Sequence, residues 1–369
     1  MVEWKTLGDI CEIKGRIGFR GYTREDQVDK GNGAISLSPG NILDSVLNYD
    51  SCTYITWEKY EESPEIMVNE GDIILCKTAS VGKVARVRQL PEKATINPQL
   101  VLIKNIKTNP QYLFYILDDT PFQVKIKGLA GVGSVPNVSQ AKLSSIQIPI
   151  PSLDEQNRIV GILDTFTASI DNLKEQIAQR RKQYEHYRDQ LLDLEGKEGV
   201  EMKTLGEVCE MERGVRVVKK DLQEEGVIPV YQNSLTPLGY YEKSNYPKNT
   251  TFVICAGAAG EVGYSKVDFW AADDCTCIVC PISISSRYVY YHLMVKQHLL
   301  KAQVRKASVP RLSKDVIAKQ QVFIPSLQEQ QRIVSILDTF EASIQNLEAQ
   351  LSQREKLYEY YRNKLLTFE

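Results

Sequence analysis

The stretch IPSLDEQNRIVGILDTF that begins at Ile150 returns at Ile324 as IPSLQEQQRIVSILDTF, 174 positions later. From Ile150 to Glu195, 30 of 46 positions are identical to the second copy. SVPNVS from Ser134 answers SVPRLS from Ser308 at the same offset. KTLGDICEI from Lys5 and KTLGEVCEM from Lys203 lie 198 apart instead. The chain therefore reads as variable region, shared segment, variable region, shared segment. The first variable region is 24 residues longer than the second.

Each shared segment is predicted to be one long helix. Ser152 and Glu155, and Ser326 and Glu329, are spaced as capping boxes, with Pro151 and Pro325 just outside. No proline follows within either segment, and Gly161 becomes Ser335 in the second copy. Apolar side chains then recur in steps of three and four: Leu163, Phe166, Ile170, Leu173, Ile177, Tyr184, Tyr187, Leu191 and Leu194. The second copy gives Leu337, Phe340, Ile344, Leu347, Leu351, Tyr358, Tyr361, Leu365 and Phe368. This is a heptad seam. Arg180 and Arg354 occupy one seam position in each copy. Such an arginine either fixes register from a buried site or snorkels to water.

A helix of about 40 residues is about 60 Å long and needs a partner for its apolar stripe. The other copy is the obvious one. A domain of about 120 residues is only about 35 Å across, too short to return the chain to the start of the first helix. Antiparallel packing is therefore expected, with one globular domain at each end and an approximate two-fold axis across the rod.

The fold class expected is α+β: two α/β domains separated by a long antiparallel two-helix coiled coil. The boundaries are 1–150 for the first domain and 151–196 for the first helix. A linker and the second domain take 197–324, and the second helix 325–369. GDIILCKT (Gly71–Thr78) and TTFVICAG (Thr250–Gly257) read as strands, each followed by a glycine-containing turn. NPQYLFYILDD and SSRYVYYHLMVK read as the next helices.

The 369 residues are 43% hydrophobic, enough for globular cores, with no long apolar run to span a bilayer and no apolar leader at the N-terminus. A cytoplasmic protein with eight reduced cysteines is expected. Cys275, Cys277 and Cys280 sit in a β-branched run and are expected to be buried strand residues rather than a zinc site. His186, His292 and His298 lack evident nucleophile partners. GLAGVG and AGAAGEVG fit neither a P-loop nor a dinucleotide fingerprint and read as turns.

The net charge of −2 hides an uneven layout. Residues 1–75 hold 7 basic and 14 acidic side chains, residues 76–142 hold 10 and 3, and residues 203–324 hold 16 and 12. A local basic face serves phosphate binding better than the total suggests.

Two copies of IPSL-x-EQ-x-RIV-x-ILD-x-F heading heptad helices, alternating with divergent domains that each open KTLG, resemble the specificity subunit of type I restriction–modification systems. The resemblance spans the whole chain. It implies a non-catalytic protein in which each variable region is a target-recognition domain reading one half of a bipartite, asymmetric site in double-stranded DNA. The helices would set the spacing and dock two methyltransferase subunits that carry S-adenosylmethionine. Restriction subunits using ATP and Mg would join them, and no membrane is involved.

DNA-contacting candidates in the first domain are Lys77, Thr78, Ser80 and Lys83 in the turn after the strand, Arg86 and Arg88 beyond it, and Arg16, Arg20 and Arg24 in a glycine-containing loop. In the second domain they are Tyr231, Gln232 and Asn233, whose amides suit adenine edges, with Lys219, Lys220 and Lys266 for phosphates. Alternatives remain: a scaffold without DNA reading, a cryptic nuclease, or a related type II system with a fused cleavage and methylation partner.

Overall fold

The computed structural model describes residues 2–368 except 19–20, 132–134, 219, 221 and 307. The chain divides into two compact units, Met1–Asn172 with Leu351–Glu369, and Leu173–Gln350. Each long segment is one helix of 40 residues, Leu153–Leu192 and Leu327–Leu366.

Half of each expected capping box forms. Ser152 Oγ accepts from the Glu155 N–H at 3.4 Å, and Ser326 Oγ from the Glu329 N–H at 3.3 Å. The glutamates do not reach back. Arg158 takes Glu155 at 2.6 and 2.7 Å, and Arg332 takes Glu329 at 2.7 and 2.8 Å. A bidentate charge-assisted pair outcompetes a single bond to a backbone N–H.

The KTLG echo has a structural cause. In the first unit, Glu3–Thr6 pairs antiparallel with Gln147–Ile150, the strand that leads into the first long helix. In the second, Glu201–Thr204 pairs with Gln321–Ile324. Thr6 and Thr204 cap the next turn in full capping boxes with Asp9 and Glu207. The glycine is required by packing: a Cβ at Gly8 would lie 3.1 Å from Ser144 Cβ, and one at Gly206 3.1 Å from Ala318 Cβ. Each variable region thus begins and ends on the same two-stranded clasp.

Inside the clasp both units build the same sheet. In the first, the order is Glu12–Lys14, Leu100–Lys104, Ile73–Cys76, Val84–Arg86, all antiparallel. In the second it is Glu210–Arg213, Cys275–Val279, Thr250–Ile254, Val262–Ser265. A second sheet packs behind. It has four strands in the first unit, Ala94–Ile96, Gly33–Leu37, Thr53–Thr56 and Gln27–Val28, and three in the second, Gly239–Tyr241, Ile228–Tyr231 and Trp270–Ala271. The extra strand and a separate hairpin, Ile42–Leu43 with Val46–Leu47, lie within the longer first region. The expected helices are Pro110–Asp118 and Ser286–Val295.

Cys275 and Cys277 are buried within their strand in one apolar core, while Cys280 packs against another, 3.4 Å from Cys209 Sγ to Sγ. They do not converge on a point, because alternate residues of a strand face opposite sides.

The helix pairing can be followed within each unit. In the first, Leu163 shares a core with Leu366, while Phe166 stacks on Tyr361 at 5.4 Å and tilts against Tyr358 at 6.4 Å. In the second, Arg181 pairs with Glu348 at 2.6 Å, and Phe340 stacks on Tyr187 at 5.4 Å and tilts against Tyr184 at 6.4 Å. Leu192 then shares a core with Ile333 and Leu337. Advancing along one helix retreats along the other, so the pair runs antiparallel in both units, as expected. The seam arginines snorkel rather than bury. Arg180 lies 5.8 Å above the Phe340 ring and Arg354 5.9 Å above the Phe166 ring, so each stem covers apolar surface while the cation meets a π face.

Two polar anchors tie each variable region to its helix. Gln156 Oε1 accepts from the Asn109 N–H at 2.9 Å, and Gln330 Oε1 from the Ser285 N–H at 2.9 Å, both glutamines being buried. Asp164 then accepts from Tyr115 Oη at 2.6 Å and Gln111 Nε2 at 3.2 Å, and Arg86 donates to Gln111 Oε1 at 2.9 Å. In the second unit Asp338 accepts from Tyr291 Oη at 2.6 Å and Arg287 Nε at 2.8 Å. Arg287 also bonds Glu341 and lies 4.5–4.7 Å from the rings of Tyr264, Tyr290 and Tyr291. Burial opposes its charge, yet Glu341, Tyr291 and Asp338 hold its pKa above the ordinary arginine value.

Candidate nucleic-acid interface

The turn after the third strand of each main sheet is stitched to the SVP motif. In the first unit the Ala79 N–H donates to the Pro136 carbonyl at 2.9 Å, and the Val138 N–H to Lys77 at 2.9 Å. In the second, the Gly257 N–H donates to Pro310 at 3.2 Å and the Leu312 N–H to Cys255 at 2.8 Å. The backbone kinks alike: φ is 62° at Ala79 and 80° at Gly257, 100° at Gly82 and 89° at Gly260. This left-handed region favours glycine, and Ala79 adopts it under the clamp of two strands and the motif. The same frame thus appears twice.

Different side chains decorate it. In the first unit Thr78 Oγ1 donates to Asn137 Oδ1 at 2.8 Å, and Asn97 Nδ2 to Gln99 Oε1 at 3.2 Å. The Lys77 N–H donates to the Gln99 carbonyl at 2.9 Å, which fixes the strand entry beside the turn. In the second unit the Cys255 N–H donates to the Asp274 carbonyl at 2.6 Å. Strand register therefore makes Gln99 and Asp274 counterparts, and the SVP motif does the same for Asn137 and Arg311.

The predicted residues divide. Lys77 and Thr78 are half-buried in the turn, and Ser80 and Lys83 are exposed there, with Lys83 Nζ donating to the Ile42 carbonyl at 3.3 Å. Arg86 and Arg88 lie at the opposite end of that hairpin, since Arg86 pairs with Ile73. Arg86 belongs to the helix anchor, with its Nε buried and without a hydrogen-bond partner. Burial and the neighbouring Arg88 lower its pKa. Arg16 is 4% exposed, donating to the Ile96 carbonyl and Thr95 Oγ1 at 3.2 Å each, and burial lowers its pKa. Arg24 is exposed, away from the turn. Arg20 and Lys219 lie outside the described residues.

In the second unit Asn233 does sit at the turn, its carbonyl accepting from the Ala258 N–H at 2.9 Å. Gln232 Nε2 reaches Asp274 Oδ2 at 3.5 Å. Tyr231 is half-buried beside them. Its ring packs on Phe252 at 4.8 Å and Phe269 at 5.8 Å, a core contact. Lys220 and Lys266 are exposed, and Lys266 lies at the far end of the Thr250–Ser265 hairpin from Gly257. Sequence reasoning missed Gln99, Asn137, Asp274 and Arg311. One signal was present: within SVPNVS and SVPRLS, the letter after proline changes from Asn to Arg inside a constant frame.

Residues 1–180 and 197–354 match the family described as type I restriction modification DNA specificity domain. The chain belongs to this family. The type I restriction enzyme specificity subunit of Escherichia coli is 31% identical over 297 residues, 71% of this chain and 72% of that one. A Haemophilus influenzae protein, assigned by its name to the same class, is 31% identical over 297 residues, 71% of this chain and 73% of that one. The crystal structure of a type I S subunit from M. genitalium shares the fold, with a TM-score of 0.70 over 100% of this chain and 97% of its own at 18% identity. Each of the two specificity domains contributes one turn–SVP frame. Among the described residues no helix is long and apolar enough to cross a membrane.

Proposed function

We propose that this chain is the DNA-reading, non-catalytic subunit of a type I restriction–modification complex, each specificity domain reading one half of a bipartite, asymmetric site. The observation that carries the reading is one backbone frame built twice with unlike side chains. A frame made for one shared partner would keep its contact residues. A frame made for two half-sites must change them while conserving the backbone that sets their height above the groove.

The long helices set the spacing, and their exposed Glu, Gln and Asn faces dock two methyltransferase subunits, with restriction subunits joining them. S-adenosylmethionine, and ATP with Mg, belong to those partners, and the complex works in the cytoplasm. Lys77, Ser80, Lys83, Lys220 and Lys266 meet phosphates and fix position. Thr78, Gln232 and Asn233 sit where base edges are read.

The test uses the chain with its methyltransferase partner. The methylated motif should be bipartite, and replacing Met202–Gln321 with the corresponding segment of a relative should change one half alone. A change in both halves, or in neither, refutes the two-reader reading. The logarithm of the affinity for any duplex should fall linearly with the logarithm of salt concentration, because each phosphate contact releases counterions.

A further inference from the structure

The second-unit frame opens onto a cleft of about 210 Å³ whose polar lining includes Arg213, Asp273, Asp274, Arg311 and Lys314. On a DNA-facing surface, carboxylates are repelled by phosphate and persist only if they hold an arginine or accept from a base. Asp273 does the first. Its carbonyl accepts from Arg213 Nε at 2.7 Å, and its carboxylate lies 3.9 Å from that guanidinium. Asp273 Oδ1 meets no donor among the described residues.

Asp274 is different. Its only side-chain donor among the described residues is the long 3.5 Å approach from Gln232, so its carboxylate retains capacity for another N–H. Arg311 is held by paired backbone bonds with Arg305 at 2.8 and 3.2 Å, and its residue is exposed at the cleft with no side-chain hydrogen bond among the described residues. An arginine fork matches guanine O6 and N7, and a carboxylate accepts from cytosine N4. The counterpart positions in the first unit, Asn137 and Gln99, carry neutral amides, which match adenine N6 and N7.

We propose that the second specificity domain reads a G·C base pair through Arg311 on guanine and Asp274 on cytosine. Arg213 and Asp273 serve as the positioning pair beside them. This rests on the two-reader function above and adds the class of base pair.

The experiment determines the methylated motif on a randomised duplex library. It uses the full chain assembled with its methyltransferase, as wild type, Arg311→Gln, Arg311→Lys and Asp274→Asn. The half changed by the Met202–Gln321 exchange should contain a G·C pair. Arg311→Gln and Asp274→Asn should each relax it by about tenfold or more in methylation rate ratio, leaving the other half untouched. Arg311→Lys should relax the same pair while keeping general duplex affinity, because lysine retains the charge without the fork.

Full discrimination in all three variants overturns the proposal. So does relaxation at an A·T pair, or uniform weakening across all sequences, which would mean phosphate contact only. A wild-type complex without a bipartite motif would instead refute the two-reader function itself.

Discussion

Asp164 and Asp338 occupy the same place on the shared helices, yet the two units answer them with different chemistry. In the first, the carboxylate meets Tyr115 and the neutral Gln111, and the guanidinium stands one step back on the sheet, at Arg86. In the second, Arg287 comes forward from the helix onto Asp338 and Glu341, and aromatic Tyr264 takes the sheet position. The cation has moved between two elements of the variable region while the shared helix kept its acid. What the two joints share is the pairing of one acid with one tyrosine, while the second helix adds Glu341 where the first has Thr167.

This contrast can be broken directly. Arg287→Met leaves Asp338 and Glu341 facing each other without their cation. The expected loss is about 3 kcal/mol, at the low end for a broken buried pair because Asp338 is half exposed. Denaturant unfolding of the full chain measures it. Gln111→Met should cost about 2 kcal/mol, because it removes hydrogen bonds to the charged Asp164 and Arg86.

Acid should separate the units next. His292 is buried beside Tyr288 Oη at 2.8 Å, and burial, with Lys296, pushes its pKa down to about 3. The folded imidazole therefore stays neutral while the unfolded one protonates near pH 6.5. Between those values the unfolded state binds more protons, so this contribution is complete above pH 6.5 and is lost as pH falls toward 3. From pH 6.5 to 5 the loss is about 2 kcal/mol at 1.36 kcal/mol per unit. The first unit has Ile116 at the corresponding position, four residues past Tyr112. Amide exchange across pH should therefore show acid weakening in Ser286–Val295 and none of this origin in Pro110–Asp118. His292→Ile should flatten the profile.

A double-mutant cycle sharpens the comparison. Gln111→Arg alone places two guanidinium groups together, whereas Arg86→Tyr with Gln111→Arg restores the second unit's tyrosine and arginine facing Asp164, with Thr167 standing where that unit has Glu341. A favourable coupling of about 1–2 kcal/mol is expected, and additive losses would show that the two networks are unrelated. The smallest effect tests sameness. Phe166→Leu and Phe340→Leu should each cost about 1 kcal/mol of stacking, equal within error, because both rings make the same pair of tyrosine contacts.

Much of the frame was legible in the letters. The two long helices, the antiparallel pairing and the aromatic seam follow from spacing and capping residues, which act within a few turns, though the helices end at Leu192 and Leu366, before the seam positions Leu194 and Phe368. The glutamate half of the capping boxes was misjudged because an arginine three residues on competes for it. The sites were less legible. Arg16 reads from its glycine-containing loop as a DNA-contact candidate, and only the structure shows it buried against Thr95 and Ile96, some 80 residues away. Tyr231 is half-buried, with one side of its ring on Phe252 and Phe269, which arrive from other strands.

By itself the sequence determined that this protein is built twice, with two long partnered helices and two unlike insertions, because periodicity and capping are local and repeat with the letters. Only the tertiary structure decided which side chains share each reading frame. Gln99 and Asp274 reach their turns through strand pairing, and Asn137 and Arg311 through the clamp of the SVP motif. Burial and proximity depend on what lies opposite, which no stretch of sequence carries within itself.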